Sequence, residues 1–121
     1  MTKKDNQISL VELAKGLVND EFLYFIHPVI SLETGKIIGG ECLLRWRDQH
    51  GKIRGPAEFI PLAEESGFIV DIGRAMLPKL AAHLNAMTAI RPDFFLTVNL
   101  SQPELESEKF VELFLAGIQN N

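Results

Sequence analysis

Read as apolar and polar positions, the chain changes its period several times. Over residues 8–18 the apolar positions Leu10, Leu13, Ala14, Leu17 and Val18 recur at helical spacing. Ser9 precedes them and Glu12 follows it by three residues, the pattern of a capping box, so a short amphipathic helix is predicted that packs on whatever follows. Residues 22–32, FLYFIHPVISL, are aromatic and β-branched and read as a strand. Glu33-Thr34-Gly35 marks a turn and residues 36–46 a second strand, so the two are expected to pair as a hairpin. Pro28 cannot donate to a ladder and points to an edge, a bulge or a strand end.

A polar loop, residues 47–55, follows, with Gly51 and Gly55 as turn residues. Pro56 suits the first position of a helix over residues 56–66, which stops at Gly67. A longer helix over residues 69–88 carries Ile69, Ile72, Met76, Leu80, Leu84 and Met87 in one stripe. Pro78 falls inside it and is expected to bend or split it. Arg91-Pro92-Asp93 breaks the pattern, residues 94–100, FFLTVNL, give a third strand, and a last helix is predicted from residue 103 or 104 to 118.

Strands alternating with helices usually build a parallel sheet or barrel. A complete β/α barrel takes about 250 residues and eight strands, and only three strands are visible here. The expected fold is therefore α/β: a partial (β/α) TIM-type barrel of about three strands with flanking helices and an N-terminal β-hairpin. Residues 1–19 read as a helix with its lead-in, and residues 20–121 as the incomplete barrel.

Composition narrows the classes. The 121 residues are 46% hydrophobic and 23% charged, which is the make-up of an ordinary globular chain. No apolar run approaches the roughly 20 residues of a membrane helix, and the start MTKKDNQ lacks an apolar core of a secretory signal, so a cytoplasmic location is expected. Cys42 is the one cysteine, which excludes an intramolecular disulfide and a multi-cysteine zinc site. A net charge of −4 argues against nucleic acid polymers and anionic membranes as partners. A small phosphodiester remains open, because local arginines and metals can bind it against an acidic background.

The chemistry concentrates in residues 36–65. Glu41-Cys42-Leu43-Leu44-Arg45-Trp46 places an acid and a base in an apolar strand. Alternation puts Glu41, Leu43 and Arg45 on one face and Cys42, Leu44 and Trp46 on the other. Charged side chains are rarely buried unless paired or ligand-bound. The first face is thus either a structural Glu-Arg pair or the floor of a polar site, and the hexapeptide alone leaves both open.

The flanks add a resemblance. The segment is similar to the EAL domain family of bacterial cyclic di-GMP phosphodiesterases, whose Glu-Ala-Leu followed by Leu-Arg-Trp reads here with Cys42 in the alanine's place. Phe25-Ile26-His27-Pro28-Val29 with the turn at residues 32–37, the run PAEFIPLAEE at residues 56–65, Gly67-Phe68-Ile69 with Ile72-Gly73, and Val98-Asn99-Leu100-Ser101 match in order and spacing. The resemblance implies that Glu41 and Asn99 are ligands of Mg²⁺ or Mn²⁺, and alternation puts Asn99 on the face of Thr97 and Ser101. It implies further that His27, Leu44, Arg45, Pro56 and Phe59 lie against the cyclic di-GMP substrate, with Ala57 near the guanine end. Phe59 reads equally as core. His27 stands where the family has a glutamine that contacts substrate, a departure that weakens that contact or makes it pH-sensitive; as a lone histidine on a strand it reads equally as a satisfied core residue. His50 and His83 read as surface residues.

The family's second-half ligands, an acidic residue, an Asp-Asp pair, a lysine and a late glutamate and glutamine, have no counterpart in residues 1–121. Hydrolysis of cyclic di-GMP to linear pGpG is therefore expected of a completed module and not of this chain alone. A non-catalytic module that binds the dinucleotide or a protein is the alternative. So is a partial barrel whose open edge makes homo-oligomers.

Overall fold

A computed structural model describes residues 8–119; the polar lead-in, residues 1–7, lies outside the described residues. Helix α1 (Leu10–Val18) begins at the predicted capping box. The Ser9 hydroxyl accepts from the Glu12 N–H, and the Glu12 carboxylate accepts from the Ser9 N–H, both at 3.1 Å. Strands β1 (Phe22–Ile30) and β2 (Ile37–Arg47) form the expected antiparallel hairpin, and Pro28 sits one residue before an irregularity in its register.

Strand β2 has partners on both edges. β1 lines one edge along its whole length. On the other edge β4 (Phe95–Val98) pairs with residues 39–42 in parallel, and β3 (Ile53–Arg54) pairs antiparallel with Trp46 and Arg47. The segment read as a plain polar loop, residues 47–55, thus contains a two-residue strand and folds back on β2. Two residues carry too little period to be read from sequence. Helices α2 (Pro56–Ser66) and α3 (Ile69–Ile90) make the crossover between β2 and β4. Gly67 ends α2 at φ +81°, the left-handed position that glycine takes without strain.

One side of the sheet is covered by helices. Paired residues share a face, so Phe22 with Trp46, Tyr24 with Leu44 and Ile26 with Cys42 all point towards them. Phe22, Trp46 and Phe59 pack with ring centroids 5.5–5.8 Å apart. Leu13, Ala63, Ile69, Ile72 and Met76 complete the core around them. The Trp46 indole donates to Glu21 at 2.9 Å, which satisfies its one polar atom. Helix α1 reaches this core through Gly16, where a Cβ would lie 2.9 Å from the indole nitrogen. On the outer side the Arg54 guanidinium stacks 5.5 Å from the Trp46 ring and donates to Asp48 at 3.0 Å.

Two helix expectations change. Pro78 does not split α3, which runs unbroken for 22 residues. Arg74 and Pro78 both lie on its exposed face, where water can satisfy the Arg74 carbonyl that lacks its donor. The last helix, by contrast, is two: α4 (Gln102–Glu106) and α5 (Glu108–Gln119), divided at Ser107 with extended backbone. The Ser107 hydroxyl accepts from the Phe110 N–H at 3.1 Å, as a cap of the second helix does. That turns Phe110 inward, fully buried beside Gly73 of α3.

Asp48 ties the β2–β3 turn together. Its carboxylate accepts from the backbone N–H of His50 at 2.9 Å and Lys52 at 3.0 Å as well as from Arg54. Burial alone pushes its pKa up, but these donors outweigh burial and hold it below the ordinary aspartate value. A depressed folded pKa gives stability that is present above the unfolded value of 3.8 and lost as pH falls through the folded one. Asp48→Asn is expected to lower stability at pH 7 by about 1.5–3 kcal/mol, the range for hydrogen bonds to a charged group. In urea melts the gap between parent and variant should narrow as pH drops below the aspartate range; a gap constant with pH would contradict this.

Candidate functional site

Among the described residues the opposite side of the sheet carries no helix and presents rows of side chains set by the strand registers. His27 of β1 pairs with Glu41 of β2, and Glu41 pairs with Thr97 of β4, so these three stand in one row across three strands. Val29, Gly39 and Phe95 form the row on one side of it, and Phe25 with Leu43 begins the row on the other. Leu23 and Arg45 follow one row further on. Gly39 is small for a reason: a Cβ there would meet the Phe95 ring at 2.6 Å. The ring lies over the glycine and walls one side of the Glu41 row.

The polar groups of this face are short of partners. Glu41 is half-buried, yet among the described residues its carboxylate makes no hydrogen bond or ion pair; nor do the side chains of His27, Thr97 and Asn99. Arg45 does not pair with Glu41. Its guanidinium stacks 5.5 Å from the Phe25 ring and donates once, through Nη1, to the Leu44 carbonyl at 2.9 Å. The rest of the fork is unengaged, and a planar fork held by stacking suits a phosphate or a guanine edge. The structural Glu-Arg pair that the hexapeptide left open is thus not what the fold contains.

Asn99 directly follows β4 and continues its alternation. Phe95, Thr97 and Asn99 are exposed on the open face while Leu96, Val98 and Leu100 are half-buried on the other. Ser101, expected on the Asn99 face, instead caps α4: its hydroxyl lies 2.8 Å from Glu104 and 3.3 Å from the Glu104 N–H. Arg45 and Asn99, with Leu44 and Pro56, line a cavity of about 230 Å³ whose other walls include residues of helices α2–α5. His27 and Glu41 stand outside it, on the open sheet. Phe59 is 0% exposed and locked between Phe22 and Trp46, so of its two readings it takes the core position. His50 is exposed, whereas His83 is half-buried against the Tyr24 ring.

Two features of the cavity had no signal in the residue pattern. Glu104 is buried, with its carboxylate against Gly73 and accepting from the Ser101 N–H at 2.9 Å. Burial pushes its pKa up, the Ser101 donors pull it back, and the Glu64 carboxylate raises it again; the net shift is upward. Tyr24 is likewise raised, first by burial and then by Cys42 and Glu104. Among the described residues, no group of three His, Cys, Asp or Glu side chains converges as a metal cluster would. Glu41 offers a hard carboxylate oxygen and Asn99 an amide oxygen, a donor set of the kind Mg²⁺ and Mn²⁺ take.

Known proteins and solved structures are similar to this chain in sequence and fold. The EAL domain family model matches residues 10–121. Probable cyclic di-GMP phosphodiesterase PdeG of Escherichia coli (strain K12) is 36% identical over 101 residues, which is 83% of this chain and 20% of that protein. Cyclic di-GMP phosphodiesterase PdeL of the same organism is 38% identical over 90 residues, 74% of this chain and 25% of that protein. A solved structure described as "PaMucR Phosphodiesterase, c-di-GMP complex" superimposes with a TM-score of 0.82 at 27% identity, over 92% of this chain and 45% of that one. The chain spans a fifth to a quarter of the length of these curated relatives.

Cys42 is 1% exposed on the helix-covered face, and burial raises its thiol pKa, so it acts as a small apolar side chain. Thiol reagents at pH 8 are expected to leave it unmodified in the native chain and to label it fully in urea. Fast labelling of the native chain would mean that the assignment of faces on β2 is wrong.

Proposed function

The chain belongs to the EAL domain family, and we propose that it is the N-terminal part of a module that hydrolyses cyclic di-GMP to linear pGpG when complete. The observation that carries this reading is the row of partnerless polar groups around Glu41, two rows along the same face from an arginine held ready by Phe25. Glu41 and Asn99 would hold Mg²⁺ or Mn²⁺, which when bound lowers the pKa of water and offsets phosphodiester charge. Arg45 would bind a phosphate or the guanine, with His27 on the neighbouring strand and Leu44 and Pro56 at the side of the cavity. Two donors are too few for a two-ion centre, so the chain alone is inactive in this reading. The relatives' names, cyclic di-GMP phosphodiesterases, support the substrate class.

No helix among the described residues is long and apolar enough to cross a membrane, which fits a cytoplasmic module that lowers cellular cyclic di-GMP. A second reading rests on the open sheet. Among the described residues β4 pairs only with β2, and Phe25, Ile37 and Phe95 are exposed. An unpaired edge beside exposed apolar side chains is a template for another chain. This reading makes the chain a homo-oligomer joined through that edge.

Two measurements test these readings. Calorimetric titration of cyclic di-GMP in Mn²⁺ should give binding without turnover by this chain, and Arg45→Ala should weaken it at least about tenfold, the loss of one charge-assisted hydrogen bond or more. Turnover abolished by Glu41→Ala would show that another copy completes the centre; binding unchanged in Arg45→Ala would remove the guanidinium from the site. Sedimentation velocity should show dimers or larger species, and a clean monomer at high concentration would end the edge-pairing reading.

A further inference from the structure

We propose that His27 and Glu41 form a two-point ligand pair for one divalent transition metal ion, with His27 supplying a directly bonded imidazole nitrogen. The inference rests on the reading of Glu41 as a metal ligand and adds a nitrogen donor to it. The register fixes the geometry. His27 and Glu41 are directly opposed on adjacent antiparallel strands and project from the same open face. Directly opposed Cβ atoms stand about 4.5–5.5 Å apart, a span over which an imidazole and a carboxylate reach one ion at bond lengths of roughly 2.0–2.2 Å.

The pair is free to take an ion. Among the described residues the His27 and Glu41 side chains do not hydrogen-bond or ion-pair with each other, and neither has another side-chain partner. No His-carboxylate salt bridge is formed between them. Thr97 completes the row on the other side of Glu41 with a hydroxyl that is also without a partner. Pro28 follows His27 directly and pairs with Gly40, and its fixed φ stiffens the backbone from which the imidazole leaves. On the far side the Phe95 ring covers Gly39, so one flank of the row is apolar, where a carboxylate gains most from a neutralising cation.

The nitrogen donor also selects the ion. Imidazole suits Fe²⁺, Ni²⁺, Cu²⁺ and Zn²⁺, whereas carboxylate, carbonyl and water suit Mg²⁺, Ca²⁺ and Mn²⁺. A glutamine in this place would leave an all-oxygen row. His27 shifts the preference of the row away from Mg²⁺ and towards the later metals of the divalent series, with Mn²⁺, the weakest binder of that series, as its paramagnetic probe.

The test uses this chain with Mn²⁺ alone, its binding read from loss of the free-ion electron paramagnetic resonance signal. Electron spin-echo modulation then reports whether a nitrogen is bonded to the ion. One bound Mn²⁺ with directly coupled nitrogen is expected. His27→Gln should remove the coupling and weaken binding at least about tenfold, the scale on which even outer-shell partners act. As a measurement that needs no variant to fold, sub-stoichiometric Mn²⁺ should broaden one imidazole resonance of the three histidines, that of His27, ahead of His50 and His83. No bound Mn²⁺, or a coupling that survives His27→Gln, overturns the proposal. Binding that is lost in Glu41→Gln but shows no nitrogen coupling overturns the role of His27 and leaves the reading of Glu41 standing.

Discussion

Strand β2 is bonded along both edges, and the alternation of its side chains divides the molecule in two. Cys42 and Trp46 are buried on the side of the helices, while Glu41 and Arg45 are only half-buried on the open side. Because a side-chain period of two is exact, a slip of one residue would exchange the two sets. The register is therefore defended where exchange would hurt most. Phe22 and Phe59 clasp Trp46, and its indole is tied to Glu21. With Trp46 fixed inward, Arg45 must point outward, and Glu41 must share its face.

The glycines of β2 serve the same division. Gly39 admits the Phe95 ring on the open face, and Gly40 admits Ile26 on the other, where a Cβ would approach its side chain to 2.6 Å. β4 can then lie close against residues 39–42 and bring Thr97 level with Glu41. Parallel pairing at this point requires a crossover, which α2 and α3 supply. The helices that hold the core and the strand that extends the polar row are thus consequences of one connection.

Much of this was legible in the sequence because it rests on period and on turn chemistry. The capping box at Ser9, the hairpin, the stop at Gly67 and the two faces of β2 all follow from local patterns of a few residues. What was not legible depends on tertiary contact. The short β3 exists because Asp48 gathers three donors and Arg54 stacks on Trp46, and no two-residue period announces that. Ser107 divides the last helical stretch although its neighbours are helix formers, because its cap turns Phe110 into the core. In the site, alternation alone placed Glu41, Arg45 and Asn99. It could not say that Arg45 would stack on Phe25 instead of pairing with Glu41, nor could it place Thr97 level with Glu41, since cross-strand register is a property of the folded sheet.

The open face also bears on whether it is a site or merely core awaiting cover. A face meant only to be packed would be apolar in every row. Here the row of His27, Glu41 and Thr97 runs between the row of Val29, Gly39 and Phe95 and that of Phe25 and Leu43. Covering all three with apolar side chains would bury an unpaired carboxylate, with an effective penalty of roughly several kcal/mol per ion. Arg45 does not relieve it, being held by Phe25 and the Leu44 carbonyl. Whatever covers this sheet must therefore leave room over the polar row for groups that neutralise Glu41. The apolar rows on either side give that cover its footing. A charged row kept between two apolar ones is the arrangement a binding floor requires, and it is one that packing alone would not retain.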